Sequence, residues 1–162
     1  MWKVKKSSIH GTGIIASQNI KKGTKVIQYL GEKITKKEGD RRSAARIKKY
    51  LHIKKEGSVY IFELNSRYDI DGSPLYNKAR YINHSCNPNC EVDIINNEIW
   101  IIAIKGIIKG VELSYDYGYA FDTDDFADHI CKCGSKKCIG FIISQGDLSK
   151  YNKFLKKNKK NA

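Results

Sequence analysis

Two short clusters in this chain hold side chains of the types that do chemistry. The first, residues 83–86 (Asn-His-Ser-Cys), follows the apolar pair Tyr81-Ile82. It is expected where a buried segment leaves the core, a position at which polar side chains commonly serve binding or catalysis. The second, residues 112–119, holds three tyrosines within five residues. Spacing alone favours core or interface roles for these tyrosines, since tyrosine packs well in both places.

A third cluster consists of Cys131, Cys133 and Cys138. Two close thiolates followed by a third, with a glycine between them, can wrap one metal ion, and tetrahedral zinc then needs a fourth ligand from elsewhere. The chain has five cysteines and no apolar stretch typical of an export signal. An odd count in a reducing compartment favours metal ligands or free thiols over a disulfide scaffold.

The elements that must position these clusters are mostly short β-strands. Apolar and alternating runs predict strands over residues 25–29, 60–64 and 98–104, and the last is apolar enough to be buried on both faces. The strands rarely alternate with helices, which indicates a mostly β architecture with minor helix.

One helix is predicted over residues 35–53, with Asp40 as the expected N-cap and a shallow apolar stripe of Ala44, Ile47 and Leu51. The C-terminal run 153–160, KFLKKNKK, is of low complexity. For this run we favour a solvated, frayed terminus over a binding arm.

Length and composition limit what the chain can be. A chain of 162 residues fits one compact domain. With 41% hydrophobic and 29% charged residues, it is too apolar for a disordered chain and too interrupted by lysine for a membrane protein. Without a stretch of signal-peptide or transmembrane length, we expect a soluble, intracellular protein, in the cytoplasm or, for a eukaryotic or host-directed protein, at chromatin in the nucleus.

The formal charge of +13 is unevenly spread along the chain. Residues 1–60 carry a net +12, residues 61–130 a net −7 and residues 131–162 a net +8. The acidic middle is expected to attract a lysine-rich protein, whereas the basic ends contact nucleic acid or solvate the fold. Its most acidic part follows the tyrosines: Asp122, Asp124, Asp125 and Asp128. A zinc-stabilised, basic nucleic-acid-binding module is the alternative that the charge supports.

Taken in order, these clusters resemble those of the SET-domain protein lysine methyltransferases that carry a C-terminal post-SET zinc loop. The resemblance runs from about residue 11 to residue 141. It rests on Gly11-Thr12-Gly13 with Tyr29-Leu30-Gly31-Glu32, on residues 77–89 (NKARYINHSCNPN), on residues 112–117 (ELSYDY), and on the cysteine loop. A lone GxG turn is weak evidence, but the NHSC run together with the tyrosine pair is highly specific. Three positions depart from the family pattern, where an acidic residue, a glycine and an arginine are frequent: Gln28, Tyr76 and Ile139.

The resemblance implies a mostly β fold of the SET type, a β-clip with a pseudoknot and short helices, followed by a zinc-binding post-SET loop. The SET domain would cover residues 1–120, the zinc loop residues 121–145 and a basic tail residues 146–162. The implied activity is transfer of methyl groups from S-adenosylmethionine to the side-chain amine of a lysine in a histone or another basic protein. An inactive SET-like scaffold is a further alternative, which the presence of Asn83, His84 and Tyr117 disfavours.

Family roles carry over to individual positions of this sequence. Tyr117 takes the catalytic position, and Tyr115 takes the position that sets the number of methyl groups, where a tyrosine implies mono- or dimethylation. Tyr29 and Phe62, with Tyr115, line the lysine channel. The positions implied in binding S-adenosylmethionine are Gly11, Thr12, Gly13, Arg80, Asn83, His84 and Phe141. One structural zinc has the implied ligands Cys86, Cys131, Cys133 and Cys138, with His129 as a fallback ligand and Cys90 left over as an inert thiol.

Overall fold

Ten short strands and two α-helices make up the regular structure of the described chain. The computed structural model describes residues 1–53 and 60–159. The strands are β1 (Trp2–Lys6), β2 (Thr12–Ala16), β3 (Lys25–Gln28), β4 (Glu32–Thr35), β5 (Ile61–Glu63), β6 (Tyr68–Asp71), β7 (Asn83–His84), β8 (Cys90–Ile95), β9 (Glu98–Ala103) and β10 (Ser114–Tyr115). The helices are α1 (Lys36–Ile53) and α2 (Leu148–Lys159), and 3₁₀ turns occupy Lys78–Tyr81, Phe126–Asp128 and Gln145–Asp147. The predicted mostly β architecture is confirmed.

The strands form four small sheets. β1 pairs with β2, the orders β3-β9-β8 and β4-β6-β5 form two antiparallel three-stranded sheets, and β7 pairs with β10 in parallel over two residues. One cluster of buried side chains joins elements of these sheets. Its most buried large members, each at most 1% exposed, are Ile14, Ile82, Ile99, Ile101 and Leu113. Each stabilises the fold by roughly 1.5–3 kcal/mol relative to an exposed side chain.

The three strands predicted from the sequence are present with shorter bounds, as β3, β5 and β9. The expectation that the last of them is buried on both faces is wrong. In β9, Ile99, Ile101 and Ala103 are buried, whereas Trp100 and Ile102 are half-buried. The strand lies at the centre of an open sheet with one face on the core, so its side chains alternate in burial.

The helix predicted over residues 35–53 is present as α1, but its expected N-cap is wrong. The Thr35 side chain caps it, because its Oγ1 accepts a hydrogen bond from the Glu38 backbone N at 3.3 Å. The expected N-cap, Asp40, lies inside the helix with its side chain exposed. Threonine at the end of β4 therefore serves as both the last strand residue and the cap.

The prediction of an apolar stripe on α1 is wrong at the two positions whose side chains the structure describes. Ala44 and Ile47 are exposed, and the Leu51 side chain lies outside the described residues. The buried face instead includes Gly39, where a Cβ atom would lie 2.4 Å from Asp69 Oδ2. Glycine is unfavourable within a helix, and this close approach accounts for it here.

Charged contacts decide where α1 docks. Arg42 and Arg46 donate to the carboxylate of Asp71 in β6, with N–O distances of 2.8 to 3.0 Å. Burial would raise the pKa of Asp71, but hydrogen bonds from the two arginines hold it far below its usual range. Because a carboxylate that is 1% exposed is costly without a partner, the two arginines are required to face β6.

The C-terminal run forms a helix, which corrects the expectation of a frayed terminus. In α2, Tyr151 is 7% exposed and Phe154 is half-buried. Both rings pack on Phe121 and Phe126, with centroid distances of 5.5 to 5.7 Å. A lysine-rich helix of this length is marginal alone, so aromatic burial supplies its stability. Residue 160 lies outside the described residues. Among the residues described, no helix is long and apolar enough to cross a membrane.

We expect Asp71→Asn to destabilise the fold by about 3 kcal/mol, the lower end of the cost of breaking a buried ion pair. Arg42 and Arg46 both lose the buried carboxylate that they share, although Arg42 keeps its pairs with Glu32 and Glu38. Urea denaturation at neutral pH measures the change. Glu32→Gln is the matched control, because it removes an exposed carboxylate from the same Arg42 guanidinium. Exposed pairs contribute little, so this control should stay close to the wild type.

The same carboxylate should make stability sensitive to acid. Because the pKa of Asp71 is lowered in the folded protein, its contribution is fully present above about pH 4 and is lost as the pH falls below that value. Between about pH 6 and about pH 3, Asp71→Asn should therefore lose less stability than the wild type. Equal losses in the two proteins would contradict this assignment.

Candidate active site

The site is built where two distant segments run side by side. β7 and β10 pair in parallel, with Asn83 opposite Ser114 and His84 opposite Tyr115. The Ser85 backbone N extends the pairing by donating to the Tyr115 carbonyl at 3.1 Å. The first two polar clusters of the sequence therefore meet in one place.

Asn89 fixes the start of β10. Its Nδ2 donates to the Glu112 carbonyl at 2.7 Å, and its Oδ1 accepts from the Ser114 backbone N at 2.9 Å. The Asn89 side chain is buried, so these bonds are protected from competition with water. They set the register that brings residues 114–117 beside residues 83–86.

Asn83 ties β7 to the glycine turn of residues 11–13. Its Nδ2 lies 3.0 to 3.1 Å from Ser7 Oγ and from the carbonyl oxygens of His10 and Thr12. The same atom lies 2.9 Å from Glu112 Oε1. One amide group thus gathers three separate parts of the chain at the rim of the site.

Glu112 holds this turn in place through hydrogen bonds. It accepts from the Ser7 hydroxyl at 2.6 Å and from the Ser8 backbone N at 3.1 Å. A Cβ atom at Gly13 would lie 2.4 Å from Glu112 Oε1, so glycine is needed for the turn to close on the carboxylate.

His84 is a neutral, oriented imidazole. The Tyr117 backbone N donates to His84 Nδ1 at 3.2 Å, so the neutral ring carries its proton on Nε2. That atom lies 3.6 Å from Cys86 Sγ. Burial lowers the pKa of His84, against the opposing effect of the Asp116 carboxylate, 3.7 Å from Nδ1. The ring therefore binds by hydrogen bonding rather than by charge at neutral pH.

A cavity of about 590 Å³ opens beside these strands, a size typical of small-molecule sites. Aromatic rings line it in a continuous series. The ring centroids of Tyr29 and Phe62 are 4.4 Å apart, those of Phe62 and Tyr115 are 5.9 Å apart, and those of Tyr115 and Tyr117 are 5.0 Å apart. Tyr119 continues the series 6.0 Å from Tyr117.

The tyrosines of this series stay protonated. Burial raises the pKa of Tyr29, Tyr115 and Tyr117 above the ordinary phenol value of about 10. The Tyr117 hydroxyl donates to the Ile82 carbonyl at 3.0 Å. At neutral pH these groups are therefore hydrogen-bond donors and not phenolate bases.

Close backbone packing holds Tyr29 in the cavity wall. Its hydroxyl donates to the Tyr60 carbonyl at 3.0 Å. A Cβ atom at Gly72 would lie 2.2 Å from the Tyr29 ring, so the glycine makes room for it. The fully buried Asn77 accepts from the Leu30 backbone N at 3.2 Å and donates to the Gly72 carbonyl at 2.9 Å.

Arg80 lines the cavity, and the described residues satisfy only some of its hydrogen-bond donors. Its guanidinium lies 4.1 Å above the Tyr60 ring and donates to the Ser73 carbonyl. Among the described residues, its buried Nε has no hydrogen-bond partner. Leaving such a donor unsatisfied costs about 1–3 kcal/mol, so the position fits a bound group with acceptor oxygens.

Four thiols gather at one end of the site. The Sγ atoms of Cys86, Cys131, Cys133 and Cys138 all lie within 4.8 Å of one another, and those of Cys86 and Cys131 are 3.6 Å apart. Four sulfurs in a tetrahedron about 2.3 Å from a zinc ion would be about 3.8 Å apart. The set therefore fits one tetrahedral metal ion.

The fallback ligand His129 and the remaining cysteine, Cys90, lie outside this cluster. His129 pairs with Asp125 at 3.8 Å and packs on the Tyr119 ring at 5.1 Å. Cys90 is 1% exposed, and burial raises the pKa of its thiol to about 12. Such a thiol is unreactive at neutral pH, as expected from the sequence.

The clustered thiols differ in how readily they ionise. Burial raises the pKa of Cys86 to about 11. At Cys133 burial acts in the same direction, but hydrogen bonds from the Cys86 and Ser135 backbone outweigh it and lower the pKa to about 6. One thiolate is thus favoured at neutral pH, which suits a metal ligand.

A family model described as SET domain matches residues 11–118. This chain belongs to the SET domain family. Its relatives include the putative histone-lysine N-methyltransferase 1 of Plasmodium falciparum, 39% identical over 142 residues, and an H3 lysine-4 specific histone-lysine N-methyltransferase of Aspergillus oryzae, 36% identical over 141 residues. The histone-lysine N-methyltransferase trithorax of Drosophila virilis is 37% identical over 141 residues. Each match covers 85% of this chain but only 2%, 11% and 3% of the respective relative.

In this SET domain, most of the residues implied by the resemblance line the cavity: Gly11, Thr12, Tyr29, Phe62, Arg80, Asn83, His84, Tyr115 and Tyr117. Gly13 and Phe141 do not. Gly13 faces Glu112, and Phe141 packs on Phe126 with a centroid distance of 5.0 Å. Its neighbour Ile142 lines the cavity instead. This placement gives no support to a direct contact between Phe141 and a ligand.

Several lining residues were missed from the sequence. Tyr60 and Tyr119 line the cavity, and each stands two positions from a residue that was identified, Phe62 and Tyr117. In extended segments such pairs share a face, so this spacing could have indicated both. Four further lining residues were assigned no role from the sequence: Ile9, His10, Tyr81 and Ile130.

We expect Gly13→Ala to loosen the turn of residues 11–13, because the added methyl displaces Glu112 from its bonds. Overpacking of this kind costs about 1–3 kcal/mol, which thermal or urea unfolding measures. Gly106→Ala is the matched control, since no atom of the described residues, apart from residue 106 and its two chain neighbours, lies within 4 Å of the added Cβ. A loss at residue 106 as large as that at residue 13 would refute the steric explanation.

Proposed function

We propose that this SET domain transfers methyl groups from S-adenosylmethionine to the side-chain amine of a lysine in a basic protein. One observation carries the proposal. The ring series from Tyr29 to Tyr117 and the turn held by Asn83 open into the same cavity. A channel for a long, apolar-stemmed amine and a pocket for a polar cofactor are therefore adjacent.

We assign S-adenosylmethionine to the part of the cavity lined by Gly11, Thr12, Asn83 and His84. When bound, it supplies a methyl group on a positively charged sulfur. Arg80 contributes its Nε, which has no hydrogen-bond partner in the part of the chain that the structure describes and therefore suits a carboxylate. Gly13 acts through the turn that it allows, and Phe141 supports the wall from behind.

The aromatic lining prepares the lysine for attack. A free lysine amine has a pKa of about 10.4 and so lacks a lone pair at neutral pH. A narrow channel of rings disfavours the ammonium by desolvation. The lining carboxylates, Glu63 and Asp128, are exposed, and Glu63 pairs with Lys36 at 2.8 Å, so they do not stabilise an ammonium inside the channel. The channel therefore lowers the pKa of a bound amine.

Tyr117 orients the reacting groups. Its phenol stays neutral and is fixed on the Ile82 carbonyl. A hydroxyl and a carbonyl at one position can hold an amine and a methyl donor in line, and such positioning is a large part of catalysis. No nucleophilic side chain is needed, which agrees with the absence of an ionised tyrosine in the ring series.

Tyr115 limits the number of methyl groups. Its side chain is buried between Phe62 and Tyr117. We propose that its hydroxyl holds a water molecule where a further methyl group would need space, and that mono- or dimethylation results.

We assign the four-cysteine cluster to one structural zinc. Four thiolates leave no open position for water, so the ion stabilises and does not catalyse. Cys86 follows His84 by two residues, and Cys131 lines the cavity. The metal would therefore connect the cofactor pocket to the cysteine loop.

A histone is the substrate that the names of the relatives favour, and it would place the chain at chromatin. This chain spans only 2% and 11% of the length of two of these relatives. The exposed acidic residues beside the cavity suit a lysine-rich peptide: Asp122, Asp124, Asp125 and Asp128. The basic faces of β1 and α2 suit DNA phosphates. A pure nucleic-acid-binding module is not favoured, because it gives no role to the ring series.

Tyr117→Phe should lower the rate of methyl transfer by about 10²- to 10³-fold, the usual loss when one preorganised donor is removed. Transfer of labelled methyl from S-adenosylmethionine to purified histones measures it. Affinity for S-adenosylmethionine should stay near the wild-type value. Tyr76→Phe, at an exposed ring outside the cavity, is the control. Absence of transfer to any basic protein by the wild type would reject the function.

Tyr115→Phe should increase the methylation state of the product, because removal of the hydroxyl frees the space of the water. Mass spectrometry of a lysine peptide at reaction completion reads the number of methyl groups. The same final product from both proteins would overturn the role given to Tyr115.

Cys133→Ser should release the metal. We expect about one zinc per chain in the wild type by elemental analysis, and a large loss in the variant. Cys90→Ala removes a thiol outside the cluster and should keep the full zinc content. A wild-type protein without zinc would contradict the assignment.

A further inference from the structure

The residues that follow the cysteine loop bond directly to the tyrosine segment. Three backbone N–H groups make these bonds: Ser144 to the Tyr119 carbonyl at 2.7 Å, Gln145 to Asp116 Oδ2 at 2.8 Å, and Phe121 to Asp147 Oδ2 at 2.9 Å. Residues 144–147 lie outside the stretch that matches the SET family, residues 11–118. A segment beyond the family domain therefore fixes residues 116–121 of the site.

Asp116 connects this contact to the imidazole. Its Oδ2 accepts from Gln145, whereas its Oδ1 accepts from the Gly118 backbone N at 3.0 Å and lies 3.7 Å from His84 Nδ1. The carboxylate is thus oriented from the C-terminal side while it faces His84.

Helix α2 supports the outer wall of the cavity, which we define as residues 128–131 and Ile142. Phe126 lies two residues before this wall, and Phe141 pairs with Ile130 through the backbone. Tyr151 lies 5.7 Å from Phe126 and 6.3 Å from Phe141, and Phe154 lies 5.6 Å from Phe126. The wall therefore rests on two rings of α2.

The opposite side of α2 has no part in this packing. Lys153, Lys156 and Lys157 are exposed. The inward rings and the outward charges can therefore be changed separately, which gives matched variants on one helix.

We propose that residues 144–154 form a brace for the cofactor pocket, in which Tyr151 and Phe154 are positioning residues. The brace holds the outer wall and the Asp116 carboxylate in the geometry that receives the cofactor. Only the identity of the ligand, S-adenosylmethionine, rests on the proposed function. The support of the wall is a property of the chain itself.

The experiment compares the full chain with Tyr151→Ala/Phe154→Ala, with the milder Phe154→Leu, and with Lys153→Ala as the outward control. Hydrogen exchange without ligand should be faster at residues 128–131 and 142 in the inward variants, while β8 and β9 keep wild-type protection. Calorimetry should show affinity for S-adenosylmethionine weakened by about tenfold, since the pocket must be ordered on binding. The cofactor KM should rise likewise, with kcat at saturation within about threefold of the wild type. Lys153→Ala should change none of these values.

The outcomes separate the brace from the enzyme activity. Wild-type exchange in the wall of both inward variants would overturn the proposal, whatever the activity. Loss of protection in β8 and β9 of Phe154→Leu would also overturn it, because α2 would then support the whole fold. A wild type that binds no S-adenosylmethionine would reject the proposed function, and exchange in the wall would still decide on the brace.

Discussion

Parallel pairing of β7 with β10 is the constraint on which the site depends. Two residues on each strand are enough, because neighbouring side chains fix the register. Asn89 Oδ1 accepts from the Ser114 backbone N, and His84 Nδ1 accepts from the Tyr117 backbone N. A slip of one residue would turn His84 and Tyr115 to the opposite faces. The pairing of β7 with β10 therefore affects both the core and the cavity, because the strands that fix the site are also buried in the centre of the fold.

Local patterns in the sequence indicated much of the site and three of the ten strands of the described chain. The NHSC run, the tyrosine pair and the cysteine loop predicted residues that lie around one cavity and one thiol cluster. These motifs could be recognised because each places its functional side chains within a few consecutive residues. Glu112 was not assigned a role, since its partners Ser7 and Gly13 are about a hundred residues away in sequence and no local pattern joins them.

The helices show where local patterns fail. An apolar stripe was expected for α1, but the helix docks through Arg42 and Arg46 on Asp71, a contact that hydrophobic spacing cannot reveal. In α2, lysines dominate the sequence and conceal Tyr151 and Phe154, whose partners lie before the cysteine loop. Both errors arise because the energy that places each helix comes from residues far away in sequence.

The Asn83 amide bonds to residues that are distant in sequence, and this has a consequence for folding. Its bonds to Ser7, His10 and Thr12 close loops of 71 to 76 residues, and the Ser7 bond to Glu112 closes one of 105. Closing long loops is entropically unfavourable until the contacts at their ends are made, so non-local contacts form late. The position of the glycine turn against the site is therefore expected to be fixed late in folding. The environment of the Asn83 side chain would report, in a refolding experiment, the moment at which both ends of the domain are in place.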